Sequence, residues 1–120
     1  MEIPLFKVFM SKNCDRAVTD VLHSGMIGQG QKVEDFECLL KNYLGTPFVN
    51  TTNSNTSALH LALHMIKEFS GKKRNQVISV PLTCTATNTS IVNNGLNIKW
   101  ADTDPNTCNI DLQDLRNKID

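Results

Sequence analysis

The chain has 120 residues, 40% of them hydrophobic, with twelve basic and twelve acidic side chains giving no net charge. Balanced charge without a basic stripe speaks against a nucleic-acid or polyanionic-membrane surface, and no apolar run approaches the ~18 residues of a membrane span. The length suits one small domain or part of a larger one.

Met1-Glu2-Ile3-Pro4 lacks the basic and apolar segments of a signal peptide, so the sequence points to the cytoplasm. Cys14, Cys38, Cys84 and Cys108 show no Cys-x-x-Cys spacing and read as free thiols, mostly buried. Ser11 can cap a first helix running to about Leu22. The segment Gly25-Met26-Ile27-Gly28-Gln29-Gly30 is a glycine loop; it does not match a dinucleotide fingerprint, and no strand precedes it. A second helix from about Lys32 to Tyr43 carries Val33, Phe36, Leu39, Leu40 and Tyr43 as its apolar positions, with Gly45 just past its end.

Pro47-Phe48-Val49 then opens a short buried strand over 48–51. A polar cluster, Asn50 to Asn55, leads into a helix over 56–69, with Leu59, Leu63 and Ile66 on one face. Strand, tight loop and helix N-terminus present free N–H groups and the positive end of the helix dipole to an anion. Thr56 and Ser57 add hydroxyl donors where a phosphate would sit. Taken alone, the stretch reads as an ordinary helix cap. His60 and His64, one turn apart, could bind a metal, but without a third ligand they read as surface or packing residues, and no metal is expected.

Lys72-Lys73-Arg74 is the one basic run and reads as a solvated turn. Gln76 to Val80 is a continuous apolar strand closed by Pro81, of the kind buried on both faces in parallel sheets. Thr85 to Asn94 forms a helix ended by Gly95, and Ile98 to Ala101 a further strand. Asp102 and Asp104 read as turn and capping residues, and Asp111 caps a last helix through Ile119. Strands alternating with helices predict an α/β fold with right-handed crossovers: three layers, a mostly parallel sheet of three strands, helices on both faces. Such a sheet with an open edge makes a poor finished domain, so the chain reads as part of one.

Several colinear segments together resemble the DegT/DnrJ/StrS family of sugar aminotransferases, pyridoxal-phosphate (PLP) enzymes of the aspartate-aminotransferase fold (fold type I). They are Ile3-Pro4-Leu5; Ser24 to Gly30 with Val33 and Phe36-Glu37; Ser54 to Leu63; Val77-Ile78 to Pro81 with Thr83 to Asn88; Asn94-Gly95; and Trp100 to Pro105 with Asn109-Ile110-Asp111. The resemblance implies the N-terminal portion of the large domain, with helices and the glycine loop over 1–45 and the start of the βαβ sheet over 46–120. It implies a cofactor-phosphate cradle at Thr56 and Ser57, with Asn55 where the family usually has a glycine suited to positive φ. Cys84 would lie where many members stack an aromatic on the cofactor ring, and Asn88 near that ring or at a helix start. Gly28 and Gln29 would belong to a loop reaching toward the active site of a homodimer.

The implied parent activity is PLP-dependent amino transfer from an amino acid, glutamate by expectation, to a nucleotide-linked keto sugar in amino-sugar and polysaccharide biosynthesis. That chemistry needs a Schiff-base lysine and an aspartate at the pyridine nitrogen. In the family both lie downstream of the matched segments, and Lys67, Lys72, Lys73, Lys99 and Lys118 do not fall at the lysine's position. No catalytic residue is therefore expected within these 120 residues, and the chain alone is expected to be inactive. Alternatives are a non-catalytic association module or half of a split enzyme, a dehydratase relative in which another residue replaces the lysine, and a small α/β binder of phosphate ligands.

Overall fold

The computed structural model describes residues 3, 4, 6–70 and 74–119. Leu5 of the opening segment, Lys72 and Lys73 of the basic turn, and the termini Met1, Glu2 and Asp120 lie outside the described residues. The chain divides into two compact units, Met1–Thr51 and Thr52–Asp120.

In the first unit, helix α1 spans Cys14–His23 and helix α2 spans Gln31–Leu44. The helix expected from Ser11 starts later. The Ser11 hydroxyl accepts from the Asn13 N–H at 3.3 Å and its carbonyl from the Cys14 N–H at 3.0 Å, so Ser11 closes a turn ahead of α1 rather than capping it. At the other end the Ser24 hydroxyl donates to the Val21 carbonyl at 2.7 Å. Helix α2 ends as the sequence suggests: Gly45 takes φ 66°, a left-handed turn that costs glycine nothing, and its N–H bonds the Lys41 carbonyl. Neither helix contains a fully buried residue.

The strand expected over 48–51 is absent. Thr51 gives its backbone N–H and its hydroxyl to Glu37 Oε1, each at 2.8 Å, so a side chain satisfies the donor a sheet ladder would have used. Phe48, expected to be buried there, is 88% exposed. These two bonds from Thr51, with a smaller pull from Lys41, hold the Glu37 carboxyl below the ordinary glutamate range.

The second unit contains helix α3 (Asn55–Phe69), strand β1 (Gln76–Ser79), helix α4 (Thr85–Asn93), strand β2 (Asn97–Trp100) and helix α5 (Leu112–Lys118). β1 and β2 run parallel, Val77 opposite Ile98 and Ile78 opposite Lys99. Among the described residues the sheet has these two strands rather than the three expected. Ile91, Leu96 and Ala101 form the buried apolar centre, accompanied by the buried polar residues Ser79, Ser90 and Asn94. The crossover helix can turn back into β2 because Gly95 takes φ 65°.

Past β2 the chain folds on itself through an antiparallel bridge between Thr103 and Ile110. Asp104 holds the intervening turn, its Oδ1 accepting from the N–H groups of Asn106 and Thr107. Asp111 caps α5 by accepting from the N–H groups of Gln113 and Asp114 at 2.7 and 3.0 Å, as its sequence position suggests. Lys118 donates to Asp114 at 2.8 Å and to the Trp100 carbonyl at 2.6 Å, joining α5 to the end of β2. The Lys118 bond, followed by one from the Asp102 N–H, holds the Asp114 carboxyl below its ordinary range. The cysteines depart from expectation: Cys14 is half-buried and Cys38, Cys84 and Cys108 are exposed.

Candidate functional site

The best-defined site begins at Ser54, the residue ahead of α3. Its extended backbone (φ −161°, ψ 156°) turns the chain into the helix. Its hydroxyl accepts from the Ser57 N–H at 3.1 Å and bonds Ser57 Oγ at 3.0 Å, and the Thr52 hydroxyl steadies its carbonyl at 2.8 Å. An N-cap of this kind satisfies one of the four N–H groups that a helix start leaves without an intrahelical partner. The remaining first-turn amides and the positive end of a 15-residue helix face outward.

Thr56 and Ser57 lie here with His60, Leu61 and His64 along an open cleft of about 450 Å³. The Thr56 hydroxyl makes no hydrogen bond among the described residues. Ser57 Oγ, when it accepts from Ser54, keeps its own proton to donate. The cleft thus offers two hydroxyl donors, free amides and no carboxylate, which suits a phosphate. Asn55 is the first residue of α3 and does not take positive φ, so a side chain there is unstrained where the sequence comparison expects glycine. No group of three or more His, Cys, Asp or Glu among the described residues could hold a metal.

Cys84 and Asn88 do not line this cleft. Cys84 is the exposed N-cap of α4 (φ −60°, ψ 136°) and makes no side-chain cap bond. Asn88, one turn into α4, accepts from the Ser79 hydroxyl at 2.6 Å through Oδ1 and donates to the Val80 carbonyl at 3.3 Å. It therefore ties the end of β1 to α4, leaving one amide hydrogen uncommitted. In the first unit, Gly28 and Gln29 border a separate pocket of about 620 Å³ together with Val21, Met26 and Val33. Gly28 has open space where a Cβ would stand, so packing does not require glycine there.

Three contributors to the site were not evident from sequence. Ser54 is the actual cap of α3. Ser90, buried on α4, and Asn94, buried at its C-cap, bond the Thr56 and His60 carbonyls of α3. Their i, i+4 spacing on a helix beside the buried Ile91 was the available signal.

Known proteins share this fold. The model of the DegT/DnrJ/EryC1/StrS aminotransferase family matches residues 9–120. The sugar aminotransferase CalS13 of Micromonospora echinospora superposes with a TM-score of 0.84 at 41% identity, over 99% of this chain and 32% of its own. The UDP-4-amino-4,6-dideoxy-N-acetyl-beta-L-altrosamine transaminase of Campylobacter jejuni strain 81-176 is 34% identical over 86% of this chain and 26% of its own length. The GDP-4-keto-6-deoxy-D-mannose-3-dehydratase of E. coli, solved with bound hydrated PLP, superposes at a TM-score of 0.85 over 99% of this chain and 31% of its own. At 24% identity this last likeness shows the fold alone. The chain spans roughly a third or less of the length of each of these relatives. With 112 consecutive residues (9 through 120) matching the family model, the chain belongs to the DegT/DnrJ/EryC1/StrS aminotransferase family.

Proposed function

We propose that these residues form the N-terminal part of the large domain of a PLP-dependent sugar aminotransferase and that α3 carries its cofactor-phosphate cradle. The observation that carries this reading is the start of α3, where two hydroxyls and the helix amides meet in an open cleft that holds no acidic side chain. Bound PLP supplies an electron sink for bonds at the carbon bearing the amino group. The residues of this chain do the binding. The Ser57 and Thr56 hydroxyls donate to the phosphate, the helix dipole stabilises its charge, and Ser54 keeps the first turn wound. Asn88 holds the β1–α4 junction, which sets where Cys84 stands beside the ring.

The parent reaction in this reading moves an amino group from an amino acid, glutamate by expectation, to the keto group of a nucleotide-linked sugar. The parent enzyme is a homodimer to whose active site the Gly28–Gln29 loop contributes. The Schiff-base lysine comes from outside these 120 residues.

The cradle can be tested with 4′-deoxypyridoxine 5′-phosphate, which has no aldehyde and cannot attach to surface lysines. In isothermal titration it should bind more tightly than inorganic phosphate, and both should weaken for Ser57→Ala combined with Thr56→Ala. Each lost hydroxyl bond to a charged oxygen is worth about 1.5–3 kcal/mol, so the double change should weaken binding by about a hundredfold or more. Equal affinity for the analogue and inorganic phosphate would sink the cofactor assignment.

A further inference from the structure

The interface between α3 and α4 is held by polar groups that a tightly packed helix pair does not require. Ser90, near the end of α4, is fully buried and Asn94, the C-cap of α4 four residues on, nearly so. Opposite them, one turn apart, are the Thr56 and His60 carbonyls of α3. The Ser90 hydroxyl shares its proton between the Ala86 carbonyl of its own helix at 2.8 Å and the Thr56 carbonyl at 3.3 Å. The Asn94 amide uses both of its hydrogens, one to the Ser90 carbonyl at 2.8 Å and one to the His60 carbonyl at 3.1 Å. Farther along, the Lys67 ammonium of α3 donates to the Asn94 carbonyl at 2.8 Å.

Three cross-helix bonds, spaced along α3, leave the helix no freedom to slide or roll on α4. Burying a hydroxyl and a carboxamide is costly unless both are bonded, and here both are. The acceptors matter as much as the donors. The Thr56 carbonyl belongs to the same peptide group as the Ser57 N–H, and the His60 carbonyl to the same group as the Leu61 N–H. A second hydrogen bond on a carbonyl polarises its amide and strengthens what the N–H can give. The Ser57 N–H is the amide bonded to the Ser54 cap, so its strength bears on how firmly the first turn of the cradle is wound.

We infer that Ser90 and Asn94 are positioning residues for the phosphate cradle, fixing the first two turns of α3 and polarising the Ser57 amide toward its Ser54 cap. This rests on the cofactor reading given above. Neither residue touches the ligand; both act through the backbone of α3.

The test uses the full 120-residue chain, 15N-labelled, with 4′-deoxypyridoxine 5′-phosphate as probe and unphosphorylated pyridoxine as control. Ser90→Ala and Asn94→Ala should each weaken the phosphorylated probe by about two- to tenfold, the effect of one hydrogen bond, and leave pyridoxine unchanged. Ser90→Cys, close in volume but a weak donor, should fall between wild type and Ser90→Ala. In the ligand-free protein the Ser57 amide proton should move upfield in Ser90→Ala, and that of Leu61 in Asn94→Ala. Unchanged affinity and unchanged amide shifts, with only the unfolding midpoint lowered, would overturn the inference. Should the wild-type chain ignore the probe, the cofactor reading fails, and the ligand-free amide shifts alone still decide whether the two side chains tune α3. Should Ser90→Ala not fold, the Ser90→Cys shift supplies the same decision.

Discussion

Residues 1–51 and 52–120 carry helices of comparable length, yet they are held by different means. In the first unit α1 and α2 have no buried residue, and their definition comes from the Ser24 hydroxyl, the left-handed Gly45 and the longer-range Glu37–Thr51 pair. In the second, Ile91, Leu96 and Ala101 make a buried centre, and the buried polar side chains Ser90 and Asn94 bond across to α3. Amphipathic pattern and caps are enough to specify where a helix lies in sequence. They do not bury it: among the described residues the one helix with buried residues is α4, the crossover between β1 and β2.

This contrast can be broken most directly by truncating one apolar side chain in each unit. Ile91, 3% exposed, should cost about 2–5 kcal/mol as Ile91→Ala, read as a lowered urea midpoint. Leu39, 68% exposed on α2, should move the same midpoint by less than about 0.5 kcal/mol as Leu39→Ala. Equal losses would show that the first unit has a core of its own. Ser54→Ala should come next, at about 1 kcal/mol, since it removes the cap of α3. Gly30, which starts α2 with no side-chain cap bond, offers the contrast: a Cβ there would stand 3.3 Å from Met26 Cγ, offsetting the gain of a cap hydroxyl, so Gly30→Ser should change stability by less than about 0.5 kcal/mol.

The smallest effect concerns pH. Glu37 and Asp114 each have a folded pKa below the unfolded value. Their contributions are therefore complete above the ordinary carboxylate range, about 4, and are lost as pH falls through the folded value. Carboxyl 13C titration should show both midpoints below that of a model peptide. Added salt should raise the Asp114 midpoint more, because Lys118 is its leading cause whereas uncharged Thr51 leads at Glu37. Glu37→Gln should loosen the Thr51 amide, read as faster hydrogen exchange.

Much of this was legible in the sequence because the signals were local. The Gly45 and Gly95 helix ends, the Asp111 cap, β1 closed by Pro81 and the Thr56 and Ser57 hydroxyls in the first turn of α3 follow from residues within a turn of each other. The strand over 48–51 was misread because Phe48-Val49 has strand composition, while the deciding contact runs from Thr51 to Glu37, fourteen residues back. The exposed cysteines were misread because thiols are buried only where a core reaches them, and this one is small. Ser90 and Asn94 were missed for the same reason: their partners are carbonyls on another helix, which no sequence window displays.

The register of the sheet has a kinetic consequence. In a parallel pair every rung joins residues at one fixed separation, from Gln76–Asn97 through Ser79–Trp100. All four rungs therefore close loops of identical length and bear the same closure entropy, unlike a hairpin, whose inner rungs come first. No rung can nucleate the others by being shorter. The order of events must then be set by α4 laying Ile91 and Ser90 down, so β1 and β2 should form late and together, in one step with the docking of their crossover helix.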